Sequence, residues 1–282
     1  MMPSRKSAND TLHSATIPEL AELLKTRQIS AVELTKVFLK RLEQLGPQYN
    51  ALALLLEKNA IRAAKDADWY FKHDRARTPL QGIPYAAKDL LSVAGHPTTW
   101  GAKPFAQQKF DDDATVIQKL EDAGAVLTAK TSMIELAGGG GYNTASASLQ
   151  GPGLNPWDKT RWAGGSSTGS GIAVAAGLVP FALGSETSGS ILNPAAYCGV
   201  TGLRPTYGLV SRHGAMALSW TLDKIGVLAR TADDCGTVLH RIAGTDDDDP
   251  GSARKSFYYA PQYGRRFVDL KIGYHPIDFE QW

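Results

Sequence analysis

Two glycine- and serine-rich stretches, Gly164-Gly165-Ser166-Ser167-Thr168-Gly169-Ser170-Gly171 and Gly184-Ser185-Glu186-Thr187-Ser188-Gly189-Ser190, bracket a short apolar segment. This arrangement constrains the fold more than any other feature of the chain. Such composition alone suggests flexible linkers. Linkers rarely enclose core, however, and between these two Ser170 to Gly177 reads as a buried helix and Val179 to Leu183 as a strand. The 28 glycines cluster between Gly138 and Gly226. Backbone in that region must turn sharply or lie close to a ligand.

The flanking sequence supplies helices and strands in alternation. Thr16-Ile17-Pro18-Glu19 and Ser30-Ala31-Val32-Glu33 are capping boxes. After the second, Val32, Leu34, Val37, Phe38, Leu42 and Leu45 recur at helical spacing until Gly46-Pro47. A third helix is predicted over Glu57 to Lys72. Gly82-Ile83-Pro84-Tyr85-Ala86-Ala87 reads as a strand running into Lys88-Asp89, and Asp113 is expected to cap a helix through Ala123. Ala125 to Ala129 and Leu270 to Tyr274 read as strands and Thr231 to Ala243 as a helix. Strands alternating with helices predict an α/β layered domain. The acidic runs Asp111–Asp113 and Asp246–Asp249 are expected to be solvated loops rather than metal sites.

Composition removes several function classes. Thirty Lys+Arg against 28 Asp+Glu leave a net charge of +2, which is no electrostatic footprint for nucleic acid. Forty-three per cent apolar residues in 282 can bury a sizeable core and exclude a disordered chain. No run approaches a membrane span. Two cysteines, Cys198 and Cys235, make no disulfide framework, and a reducing, cytoplasmic setting is expected.

The chemistry of the two loops is decided partly by what they lack. A phosphate cradle needs a lysine, and neither loop has one. A dinucleotide fingerprint needs a preceding strand, whereas Asp158-Lys159-Thr160-Arg161-Trp162 precedes Gly164. Gly165-Ser166-Ser167-Thr168-Gly169 fits the Gly-x-Ser-x-Gly elbow with Ser167 as nucleophile, but that elbow also requires a strand before it. A serine nucleophile needs a base. The six histidines (His13, His73, His96, His213, His240 and His275) are scattered. A lysine can serve if burial keeps its amine neutral, and Lys88 follows an apolar run. A surface charge that snorkels is the other reading of Lys88.

Gly164-Gly165-Ser166-Ser167, Ser190-Ile191-Leu192-Asn193-Pro194-Ala195-Ala196-Tyr197-Cys198-Gly199-Val200 and Gly82 to Asp89 together resemble the amidase signature family. Ala129-Lys130-Thr131-Ser132-Met133-Ile134-Glu135-Leu136, Asn155-Pro156-Trp157-Asp158, Gly202 to Gly208 and Leu222 to Gly226 extend the resemblance from about Ile17 to the end. The resemblance implies a central mixed, mostly parallel sheet covered by helices on both faces, with an N-terminal helical segment (1–75) packing on a catalytic α/β core (76–282). It implies Ser190 as nucleophile, Ser166 after a cis peptide bond as the bridging serine, and Lys88 as base. The backbone N–H groups of Thr187, Ser188, Gly189 and Ser190 would form an oxyanion hole and Ser167 a hydrogen-bonding support. Ser167 thereby ceases to be the nucleophile. Lys130 is either a support or a surface group, and Cys198 is expected to pack.

Three departures from the family pattern stand out. Its usual Asp-Thr-Gly-Gly-Ser is Glu186-Thr187-Ser188-Gly189-Ser190 here, and its Ile-Arg is Ile191-Leu192, so a different network around the triad is expected. The chain is also shorter than is usual, which implies an incomplete sheet. The expected function is hydrolysis of a small carboxylic amide through an acyl-serine, with no metal or organic cofactor. A partner is expected only as a homodimer or a second amidotransferase subunit. The alternatives are a glutaminase-type subunit of a tRNA-dependent amidotransferase and a non-catalytic relative. Trp100, Tyr142 and Trp220 either line an apolar pocket or pack in the core.

Overall fold

The computed structural model describes residues 12–138 and 144–260 and the isolated positions 271, 273 and 276. Both capping boxes form. Glu19 accepts from the Thr16 N–H at 2.7 Å to start α1 (Ile17–Lys25), and Ser30 and Glu33 exchange bonds of 2.9 and 3.1 Å to start α2 (Ala31–Leu45). Helix α3 spans Glu57–Lys72, as predicted, and buries Ala60, Ala64 and Ala67 on a small-residue face. Its Asp68 accepts from the N–H of Ala31 and Val32, which ties α3 to the start of α2.

The sheet contains β1 (Leu52–Leu55), β2 (Pro84–Lys88), β3 (Val126–Thr131), β4 (Phe181–Glu186), β5 (Thr201–Leu203) and β6 (Lys224–Ala229), in the order β1-β3-β2-β4-β6-β5. It is mixed and open. β2 lies parallel to both β3 and β4, whereas β1, β5 and β6 join antiparallel. Parallel pairing is therefore confined to the central three strands, where helical crossovers of sufficient length join them. Between β2 and β3 the chain passes through α4 (Thr115–Asp122), and between β3 and β4 through α5 (Thr168–Ala175). α6 (Leu192–Cys198) and α7 (Ala232–Ile242) follow β4 and β6.

Strand alternation gives each face its own core. Tyr85, Ala87, Phe181 and Leu183 pack with residues of α1 to α4 and α7, and the Tyr85 and Phe181 rings stack at 5.1 Å. Ala86, Ala182 and Leu228 pack with Ile172, Ala173 and Val174 of α5 and with Ala195 of α6. Helices thus cover both faces.

Several expectations need correction. Asp113 does not cap α4, whose cap position is Ala114; its carboxylate accepts from the Ala94 N–H at 2.7 Å instead. The acidic run 246–249 is not uniformly solvated. Asp246 accepts from Thr115 and Ser211 and Asp249 from Arg212, while Asp247 and Asp248 stay exposed. The strand expected at Val179 begins at Phe181 and runs to Glu186. The segment before residue 75 also contributes β1, so it is not helical throughout. The expected strand over 270–274 falls, except for positions 271 and 273, outside the described residues.

Candidate active site

The chain leaves β2 on one side to form β3, returns on the other to form β4, and so reverses direction between β2 and β4. In open α/β sheets such a reversal leaves a crevice outside the carboxyl ends of the strands, where ligands bind. Lys88 is the last residue of β2 and Glu186 the last of β4, and Ala87 pairs with Leu183.

Lys88 is fully buried, which rules out the surface reading. Its Nζ donates to Ser166 Oγ at 2.7 Å and to Ser185 Oγ at 2.9 Å. Burial disfavours the ammonium and pushes its pKa down to about 7, against the opposing pull of Asp223 and Glu186. The Gly165–Ser166 peptide is cis, as the resemblance implied. Three bonds hold this loop: the Ile134 N–H donates to the Ser166 carbonyl at 3.2 Å, the Gly165 N–H to Asn193 Oδ1 at 3.0 Å, and Thr168 Oγ1 to the Gly164 carbonyl at 2.7 Å. Gly164 adopts φ +81°, and a Cβ there would meet Asn193 Oδ1 at 2.6 Å, so only glycine fits beneath α6.

Ser167 joins the two glycine/serine loops. Its N–H donates to the Ser190 carbonyl at 3.1 Å, its Oγ donates to the Ser185 carbonyl at 3.1 Å, and the Ser185 N–H donates back to that Oγ at 3.2 Å. Lys88, Ser166, Ser185, Ser167 and Ser190 thus meet from β2, the start of α5 and the end of β4. All five are buried. Four of the histidines pair away from this cluster: His73 with the Trp69 carbonyl, His96 with Asn59, His213 with Asp248 and His240 with the Tyr259 N–H.

The loop after β4 is held by its carbonyls. Lys224 Nζ donates to the Thr187 carbonyl at 3.0 Å and the Asn193 N–H to that of Gly189 at 2.7 Å, while the Ser190 carbonyl is taken by Ser167. Thr187 Oγ1 donates to Asp223 at 2.5 Å. Ser188 is exposed, so its extra side chain leaves the inner side of the loop clear.

Glu186 and Leu192, two departures from the family pattern, meet in one hydrogen-bonded network. Glu186 is buried, and one of its oxygens accepts from the N–H of Ile191 and Leu192 at 2.8 and 2.9 Å. Its other oxygen lies 3.9 Å from Arg204. The longer carboxylate spans the loop 187–190, and the cation comes from position 204 rather than from position 192. Replacing Glu186 with alanine leaves the buried Ile191 N–H and the part-buried Leu192 N–H unpaired, with an expected cost of about 1–3 kcal/mol in denaturant unfolding. Glutamine, which keeps an acceptor, should recover most of this.

Lys130 and Asp89 form a second buried pair at 2.7 Å. Lys130 Nζ also donates to the Pro97 carbonyl at 2.9 Å and to Thr98 Oγ1 at 2.5 Å, and Asp89 accepts from the Thr99 N–H at 3.0 Å. Lys130 is therefore a structural group that fixes residues 97–99 beside the end of β2. Residue type and spacing do not single out Ser185, Glu186, Asn193 and Asp223 as supports. Their only signal is their place in motifs that surround the serines.

Cys198 and Cys235 are buried free thiols, both pushed up to about 12 by burial, which makes them inert packing groups. Trp100 packs against Phe105 and Phe110, Trp220 lines a cavity, and Tyr142 lies outside the described residues. Among the described residues no group of three or more His, Cys, Asp or Glu side chains could hold a metal ion, and no helix is long and apolar enough to cross a membrane.

The family model described as Amidase matches residues 33–281. The protein named "Putative amidase AmiD" of Mycobacterium tuberculosis is 38% identical over 96% of this chain and 56% of its own length. A glutamyl-tRNA(Gln) amidotransferase subunit of Acinetobacter baumannii is 42% identical over 93% of this chain and 53% of its own. Among solved structures, the peptide amidase of Stenotrophomonas maltophilia superposes with a TM-score of 0.80 at 35% identity, covering 87% of this chain and 51% of that one. The chain thus spans about half the length of the relatives it matches. A matched region covering most of the sequence, relatives at this level of identity and an α/β sheet with a buried lysine among serines lead to one conclusion: the chain belongs to the amidase signature family.

Proposed function

We propose that the protein hydrolyses carboxylic amides with Ser190 as nucleophile, Ser166 as proton relay and Lys88 as base. The observation that carries this reading is the fully buried Lys88 amine donating to Ser166 Oγ at 2.7 Å. With its pKa near 7 the amine is substantially neutral at physiological pH and has a lone pair to offer.

In acylation, the Ser190 hydroxyl proton passes to Ser166 Oγ as the Ser166 proton passes to Lys88 Nζ. Ser190 Oγ bonds to the amide carbon, and the carbonyl oxygen becomes an oxyanion. The carbonyls of Thr187, Gly189 and Ser190 are engaged by protein donors, which supports the reading that the N–H groups of 187–190 face the oxyanion. One such donor contributes a factor of about 10²–10³ in rate. Collapse breaks the C–N bond, and the proton returns from Lys88 through Ser166 to the leaving nitrogen. Water then attacks the acyl-Ser190 ester by the reverse relay, giving carboxylate and the free enzyme. Ser167 acts as support by holding Ser190 and Ser185 in place.

The 42% identity to an amidotransferase subunit favours a second reading, in which the amide is glutamine and the ammonia passes to a partner subunit. The proposed setting is the cytoplasm, which the two buried free thiols support.

The test is labelling by a serine-directed fluorophosphonate, read by intact mass. Ser190→Ala is expected to lose the adduct completely while keeping its far-ultraviolet circular dichroism. An adduct that persists in this variant would overturn the assignment.

A further inference from the structure

A cavity of about 640 Å3 lies where α1, the end of α3 and α7 meet the segment that enters β2. Gln81, three residues before β2, forms part of its wall, whereas Lys88 closes the opposite end of that strand. None of the residues that line it belongs to the loops that carry Ser166 and Ser190. The cavity is therefore separate from the site already described.

Pro18, Ala21, Phe71 and Pro79 supply apolar wall, and two buried polar groups interrupt it. Gln81 is 2% exposed and Thr237 8%, so folding took both side chains out of bulk water. The Gln81 amide lies flat against Gly124, where a Cβ would meet it at 2.5 Å. Its Oε1 accepts from the Arg77 N–H at 3.4 Å, which leaves Nε2 as the donor for the cavity. Neither Nε2 nor the Thr237 hydroxyl has a hydrogen-bond partner among the described residues. Thr78, in the same wall, shows the ordinary condition: its hydroxyl donates to the Ala123 carbonyl at 2.6 Å. Buried polar groups without partners are costly, and an acceptor placed in the cavity would satisfy these two.

Charge at the rim selects against an ion. Asp74 pairs with Arg27 at 2.7 Å, and Arg77 donates to the Asp122 carbonyl and lies over the Tyr70 ring. Glu22 and Lys25 bring opposite charges about one turn apart on α1. An anion would give up water for no net attraction. A carbonyl oxygen carries two lone pairs and no charge, so it can accept from both donors. The volume falls within the roughly 300–1,000 Å3 of ligand pockets, and the Phe71 ring offers a partner for a second ring.

We infer that this cavity is a second ligand site, for an uncharged ring compound whose carbonyl accepts from Gln81 Nε2 and Thr237 Oγ1. It is independent of the chemistry proposed for Ser190.

Acetophenone, ethylbenzene and benzoate share one ring and differ at the group that meets the two donors. Each is titrated into isotope-labelled protein and followed by the side-chain amide resonance of Gln81, identified by its absence from Gln81→Glu. Acetophenone is expected to shift that resonance and to bind about tenfold more tightly than ethylbenzene, the effect of two hydrogen bonds to otherwise unpaired groups. Benzoate is expected to bind at least tenfold more weakly than acetophenone. Thr237→Val keeps the shape and removes a hydroxyl that bonds to nothing in the protein. It is expected to weaken acetophenone several-fold, leave ethylbenzene unchanged and not lower the melting temperature. Equal affinity for acetophenone and ethylbenzene, tighter binding of benzoate, an unmoved Gln81 resonance, or a Thr237→Val protein that melts earlier or binds acetophenone as before would each overturn the inference.

Discussion

Replacing Lys88 with arginine is expected to slow acylation of Ser190 by about 10²- to 10⁴-fold, the usual contribution of a positioned base, and to do so at every pH. Arginine keeps the positive charge and the donors but stays protonated and cannot accept the Ser166 proton. In the parent, burial holds Lys88 near 7, so the labelling rate should climb as pH rises through 7 and then level off. An unimpaired Lys88→Arg protein, or a parent rate that ignores pH across the neutral range, would remove Lys88 from the role of base. The same shift has a consequence for stability. The folded protein releases this proton near 7, whereas an unfolded lysine keeps it to about 10.5. Between those values the unfolded state binds more protons, so stability rises with pH. Lys88→Met removes this linkage. It should resist urea better than the parent at pH 7, by a margin that narrows as pH approaches 10.5.

The start of α2 could be read from four residues because Ser30 and Glu33 satisfy each other's backbone within one turn. The same holds for α3, whose alanine face repeats at helical spacing. β1, β5 and β6 escaped a periodicity reading. Each is a run of three to six residues, and two contain a glycine that a strand does not favour, Gly202 and Gly226. Pairing with neighbouring strands makes them strands, and that is information held elsewhere in the chain. α6 hides for a related reason. It holds Pro194 near its start and is fixed by the Glu186 carboxylate, six residues before its first turn. The candidate site divides in the same way. Lys88, Ser166 and Ser190, the proposed base, relay and nucleophile, are singled out by residue type and family pattern. Ser185 becomes a partner of Lys88 only through the parallel pairing of β2 with β4, and Asp223 reaches Thr187 only because β6 lies beside β4. Supports that act across strands leave no local signal.

Lys130→Met is expected to destabilise the fold by about 3–5 kcal/mol, the cost of leaving one charge of a buried pair without its partner. Asp89 would keep the Thr99 N–H but lose the ammonium at 2.7 Å in a site closed to water. Pro97 and Thr98 would lose the donor that holds their segment against β3. Burial pulls the Lys130 pKa below its usual value despite the adjacent carboxylate, so desolvation outweighs the attraction and the pair adds little net stability. The double variant Lys130→Met/Asp89→Asn separates these effects in urea unfolding. If charge isolation dominates, the double variant recovers a large part of the single loss, because no uncompensated charge remains. If it is as unstable as Lys130→Met, the tether to residues 97 and 98 is what matters. The second outcome would also predict a slower Ser190 label in the single variant, since the tethered segment is bonded through the Thr99 N–H to Asp89, next to Lys88, and a loosened end of β2 would let the amine drift from Ser166.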